Sequence, residues 1–103
     1  MIWSQAEHYC WSNFSAHLAS IHNFEEMQFL LEFAYISNSN IWSGAYSENG
    51  GKTWQWRDGT RWDYNPWAEG YPLLGTPCGA LTDERLINVD CNLMKRTLCK
   101  YYL

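Results

Sequence analysis

The 103-residue chain has no surplus of positive charge: seven Lys and Arg stand against eleven Asp and Glu, a formal net charge of −4. Without a clustered basic surface nothing is available to neutralise a phosphate backbone, which argues against nucleic acid as a partner. Also missing is any run of about eighteen apolar residues, the minimum for a membrane-spanning helix, and the N-terminus shows no charged segment followed by an apolar one. No membrane insertion is expected, and Met1 is either an added start or the edge of a longer protein. Internal repeats and low-complexity stretches are lacking too, and one hundred or so residues leave room for a single core, so residues 1–103 form one domain.

None of the four cysteines, Cys10, Cys78, Cys91 and Cys99, forms a Cys-x-x-Cys pair, so a zinc site lacks its usual spacing. Four cysteines allow three pairings and read better as two disulfides in an oxidising compartment, which makes the protein secreted or extracellular. Asn13-Phe14-Ser15 is an N-glycosylation sequon, consistent with that setting. The inventory of an enzyme is missing as well. His8, His17 and His22 lie on or between two helical segments with no nucleophile at a recognisable spacing, and each reads as a surface or capping residue.

What the chain has in excess is Trp, seven residues of it, against only 17% charged residues. So many large rigid side chains in a small chain suggest a loop-rich core, an aromatic binding surface, or both. Ser4 with Glu7 makes a capping box, and Trp3, Ala6 and Cys10 recur at helical spacing, so a first helix is expected over residues 4–12, ending at Asn13. Asn23 with Glu26 caps a second helix, with Phe24, Met27, Leu30, Leu31 and Ala34 on its buried stripe. Then Ile41–Ala45, the turn Asn49-Gly50-Gly51 and Thr53–Trp56 read as strand, turn, strand. About twenty residues of loop with all three Pro follow. Cys78–Thr82 and Thr97–Leu103 are strand-like, with Ile87–Cys91 between them.

These pieces, in order, resemble a known family: Trp3 through Glu7 to Cys10, HLASIHNFEE, WSGA at 42–45, WQWRDGT at 54–60, Asp63-Tyr64, Trp67, Gly70, Pro72, Cys78, NVDC at 88–91 and Leu98-Cys99. They look like a C-type lectin-like domain over almost the whole chain. The resemblance implies an α+β fold with two helices, small antiparallel sheets, a long irregular loop region and two disulfides, Cys10–Cys99 and Cys78–Cys91. WSGA stands where the family usually reads WIGL, a core strand, and Trp54, Trp56, Tyr64 and Trp67 fall on positions that are usually core. The chain starts at the first helix and lacks the family's usual first strand. Thr97–Leu103 is therefore expected as an unpaired edge, through which a homodimer could form.

In sugar-binding members of this family, Ca²⁺ is held by residues on either side of the loop Pro, by an acid before the third Cys and by a Trp-Asn-Asp triplet. Here those positions are Tyr71 and Leu73, Pro77, and Leu86-Ile87-Asn88. Only Asn88 keeps a ligand oxygen, far short of the six to eight that calcium takes. No metal and no cofactor is expected. The site expected instead is an apolar and aromatic patch for a protein ligand or a non-classical glycan: Arg61, Trp62, Tyr71, Leu73, Leu74 and Asn88. Against it stands the possibility that Leu73 and Leu74 fold back onto the domain. Two other functions follow from the same family: a calcium-dependent lectin with a shifted site, using Trp or Tyr stacking and acids such as Glu69, Asp83, Glu84 and Asp90, and ice binding, for which Thr53, Thr60, Thr76, Thr82 and Thr97 show no spacing that would build a flat regular face.

Overall fold

A computed structural model describes residues 1–37, 41–82 and 85–100, with the backbone alone for 33–37. In chain order the elements are α1 (Trp3–Phe14), β1 (His17–Leu18), α2 (Phe24–Ser37), β2 (Ile41–Tyr46), β3 (Gln55–Trp56), β4 (Cys78–Thr82), β5 (Arg85–Val89), β6 (Arg96–Thr97) and β7 (Cys99–Lys100). The larger sheet runs β3-β2-β4-β5, with β6 pairing β2 in parallel; β1 and β7 form a separate antiparallel pair. Both implied disulfides are present, Cys10–Cys99 and Cys78–Cys91. The expected α+β arrangement of two helices, small sheets and a long loop is the observed one.

α1 starts one residue earlier than the expected capping box. Its N-cap is Ile2, whose N–H donates to Gln5 Oε1 at 3.3 Å. Glu7 is drawn inward instead: Oε1 accepts the Leu18 N–H at 3.1 Å and Oε2 lies 2.7 Å from His17 Nδ1. A buried strand N–H without a sheet partner needs an acceptor, and that demand overrides local capping. The helix also runs past Asn13, whose Nδ2 donates to the Tyr9 carbonyl at 3.0 Å. Ser15 takes the left-handed conformation in its place, at φ 51°, with its N–H and that of Ala16 closing on the Trp11 and Cys10 carbonyls.

α2 opens as expected on Asn23, whose Oδ1 accepts the Glu26 N–H at 2.8 Å. The Glu26 carboxylate reaches one residue further back, to the His22 N–H at 3.0 Å. Its buried stripe is narrower than the spacing suggests: Met27 and Leu30 are buried and Leu31 partly so, but Phe24 is exposed at the first helical position. Ala34 lies outside the described side chains. Helical spacing selects a face, yet only residues opposite another element are covered, and α2 packs on β4.

β2 is the central strand and its first five residues are all buried. The Ser43 hydroxyl donates to the Gly79 carbonyl at 2.8 Å. At Gly79 a Cβ would stand 2.6 Å from the Ala45 Cβ, so the β2–β4 pair closes this tightly only because Gly is there. β3 is shorter than expected because the preceding turn uses its first two residues. The Thr53 N–H donates to Asn49 Oδ1 and Trp54 Nε1 donates to the Gly51 carbonyl.

Thr97–Leu103 does not form one long free strand. Thr97 belongs to β6 and pairs with Trp42 of β2, whereas Cys99 and Lys100 pair with Leu18 and His17 of β1. Residues 101–103 lie outside the described part. The homodimer contact expected from a long unpaired edge therefore loses its premise. Two-residue strands, each already paired on one side, are poor templates for strand addition.

Candidate functional site

The loop from Trp67 to Cys78 is sewn to the sheet at its base. The Ala68 N–H donates to the Leu86 carbonyl at 2.8 Å and the Leu86 N–H to the Pro66 carbonyl at 3.1 Å, next to a bridge between Trp67 and Leu86. Cys78–Cys91 closes its far end onto the residues after β5. Beyond Gly70, at φ 84°, the Tyr71–Pro72 peptide is cis. The Gly75 N–H then donates to the Gly50 carbonyl at 2.8 Å, tying the loop to the turn between β2 and β3.

Asn88, on β5, organises the middle of this loop. Its Oδ1 accepts the Leu73 N–H at 2.8 Å. Its Nδ2 donates to the Leu73 carbonyl at 2.6 Å and to the Thr76 carbonyl and hydroxyl at 2.9 and 2.8 Å. The residue is only 3% exposed. A buried amide with both donors and an acceptor engaged is a clamp on the loop backbone, a structural use of the one family ligand position that keeps an amide. The neighbouring family positions, Tyr71, Leu73, Pro77 and Ile87, add no carboxylate or amide oxygen. These residues do not fit a calcium ion, which needs several charged or strongly polar oxygens in one place.

The remaining expected site residues divide into two groups. Leu73 and Leu74 do not fold back: they are 51% and 77% exposed, with Tyr71 partly buried beside them. Trp62 turns inward, stacked on the buried Trp56 at 4.3 Å and tilted against Trp67 at 5.8 Å. Arg61 is exposed on the segment leading to Asp63. Hence Trp62 belongs to the aromatic core along with Trp54 and Trp67, as area burial favours for so large a side chain. Of the six expected residues, Tyr71, Leu73 and Leu74 form the loop tip, Asn88 lies beneath it, and Arg61 and Trp62 sit on a separate segment. The other predicted site residue, Asn13, is exposed on the last turn of α1.

Sequence reasoning missed two polar clusters. In the first, Glu7 and His17 pair at 2.7 Å. In the second, His22 Nδ1 lies 2.7 Å from Asp63 Oδ1, while its Nε2 faces the Ser20 and Thr60 hydroxyls. Neither spacing matches a motif, because each pair joins separate elements. The hydrogen bond from His22 holds the Asp63 carboxyl below the usual carboxylate range, with the imidazole's charge and Arg61 acting in the same direction. A carboxylate with a depressed folded-state pKa stabilises above its unfolded value of about 3.9 and loses that contribution as pH falls through the folded value. Asp63→Asn should therefore melt lower than the parent at pH 7, and the two melting points should converge as the pH falls through the lowered folded-state value. Parallel melting curves at every pH would show that the pair contributes nothing.

The family model described as "Lectin C-type domain" matches residues 1–101. Rheacalcin-2 of Rhea americana is 30% identical over 118 residues, covering 98% of this chain and 82% of that protein. A lectin of Pleurodeles waltl is 39% identical over 74 residues, and the match covers 68% of this chain but only 43% of that lectin's length. Among solved structures, a calcium-independent type II antifreeze protein superposes with a TM-score of 0.83 at 30% identity, over 96% of this chain and 77% of that one.

Proposed function

The chain belongs to the C-type lectin domain family, and on that premise we propose that it is a calcium-independent extracellular recognition domain binding a protein ligand through its long-loop tip. The observation that carries this is Asn88. Its amide is closed on the backbone of Leu73 and Thr76, so the loop is held by hydrogen bonds of the protein itself. Holding the loop this way leaves Leu73 and Leu74 outward, with Tyr71 partly buried at their base. Apolar side chains presented on a fixed backbone lose little freedom on binding, which favours a protein surface as ligand. Two disulfides and the exposed Asn13 of a glycosylation sequon agree with an extracellular setting. No reaction is assigned to the domain.

The test is a thermal melt in millimolar CaCl₂ and in chelator. The melting point is expected to be the same in both, since a ligand that binds only the folded state would raise it. A rise of several degrees in calcium would sink this reading and favour the lectin with a shifted site. For that alternative, Glu69 and Asp90 are the described acids, while Asp83 and Glu84 lie outside the described residues. Among the described residues no group of three or more His, Cys, Asp or Glu converges. Ice binding finds less support still. The hydroxyls of Thr53, Thr60, Thr76, Thr82 and Thr97 are each hydrogen-bonded within the fold, on separate elements, where an ice face needs a regular outward array.

A further inference from the structure

Away from the long loop, α1, β1 and the segment after β3 enclose an open cavity of about 490 Å³, lined by Trp3, Glu7, His8, Trp11, His17 and Arg57. Glu7 is already committed, with its two oxygens on the Leu18 N–H and on His17 Nδ1. A carboxylate acceptor there assigns the His17 proton to Nδ1 and leaves Nε2 as the ring's second polar atom. Trp11 stacks on this imidazole at 5.6 Å and 20°, yet is 58% exposed, so most of the indole is available to a ligand. Trp3 is fixed by a 2.8 Å hydrogen bond from Nε1 to the Ser43 carbonyl. Arg57 is anchored through its backbone N–H to the Gly44 carbonyl at 2.8 Å. Its side chain is exposed, and the guanidinium has no hydrogen-bond or ion-pair partner among the described residues.

The cavity thus offers a guanidinium with no partner among the described residues, an imidazole held in one orientation by a satisfied carboxylate, and an exposed indole. A guanidinium recognises carboxylate and sulfate through paired N–H donors. The indole face carries partial negative charge and attracts the weakly positive C–H groups on one side of a pyranose ring. We propose that this cavity is a second binding site, for an acidic saccharide. The carboxylate or sulfate sits on Arg57, the sugar ring lies against Trp11, and a hydroxyl reaches His17 Nε2. An acidic peptide would satisfy Arg57 but leave the indole uncovered. Every residue involved comes from outside the long loop, so this site stands whether or not the loop tip binds a protein.

Titration calorimetry with a heparin-derived tetrasaccharide and a hyaluronan tetrasaccharide tests it, with neutral chitotetraose and a hexa-aspartate peptide as controls. Saturable uptake of one or both acidic saccharides and none of chitotetraose is expected. Arg57→Gln and Trp11→Ala should each weaken that uptake at least about tenfold, the loss of one charged hydrogen-bond set or one stacking surface. Both residues are exposed, so unchanged melting points verify that the variants fold. Leu74→Asp should bind the saccharide like the parent. The assignment is overturned by no saturable saccharide uptake, by uptake that both variants leave unchanged, by hexa-aspartate binding as tightly, or by loss in Leu74→Asp.

Discussion

Reduction of both disulfides is expected to unfold the domain at room temperature. In the chain-entropy treatment, closing 89 residues between Cys10 and Cys99 is worth about 4 to 5 kcal/mol, and closing 13 between Cys78 and Cys91 about 3. Together these approach or exceed half of a typical domain stability of about 5 to 15 kcal/mol. The two bridges differ in what they hold. Cys10 is buried among Ala6, Leu18 and Trp42, and its bond to Cys99 ties α1 to β7, so Cys10→Ala with Cys99→Ala should remove cooperative unfolding or lower its midpoint severely. Cys78→Ala with Cys91→Ala should cost less and loosen mainly the base of the long loop. Denaturant titrations of the oxidised, reduced and paired-Ala proteins read these differences directly. A reduced protein that melts like the oxidised one would show that packing alone sustains the fold.

Asn88→Ala should cost about 2 to 3 kcal/mol and disorder the loop tip. The substitution strands the Leu73 N–H, the Leu73 carbonyl and the Thr76 carbonyl, each of which loses a bond of 2.6 to 2.9 Å to the amide. A buried polar group left without its partner costs about 1 to 3 kcal/mol, and partial access of water at the exposed Leu73 limits the total. Asn88→Asp retains the acceptor for the Leu73 N–H but loses both donors, so it should also be destabilised. The denaturation midpoint gives the energy, and hydrogen exchange at the Leu73 amide gives the location. Exchange at Leu73 that is no faster in Asn88→Ala would remove the loop-clamp role on which the calcium-independent reading rests.

Local signals located most of the elements. The Asn23–Glu26 cap, the turn at Asn49-Gly50-Gly51 and the strand at Ile41–Ala45 each depend on neighbours a few residues away, and all correspond to observed features. Failures came where a distant group competes for the same atom. Glu7 matches a capping box, but the Leu18 N–H and His17 claim its carboxylate. Asn13 could have ended α1, but Ser15 lies where the chain must turn into β1. Trp62 reads as a surface aromatic until the ring of Trp56 is seen to cover it.

The sequence alone carried the resemblance to the family, through that resemblance the two disulfide pairings, and the lack of carboxylate or amide side-chain oxygens at 71, 73, 77 and 87. Residue type and order along the chain carry these, and neither depends on coordinates. Only the tertiary structure decided that Asn88 spends its amide on the loop, that Leu73 and Leu74 are exposed while Trp62 packs on Trp56, and that Arg57, without a side-chain partner among the described residues, lines one cavity with Trp11 and His17. Hydrogen-bond partners and exposure depend on which distant segments arrive at one place, and residues 7, 17 and 57, or 73, 76 and 88, meet only once the chain has folded.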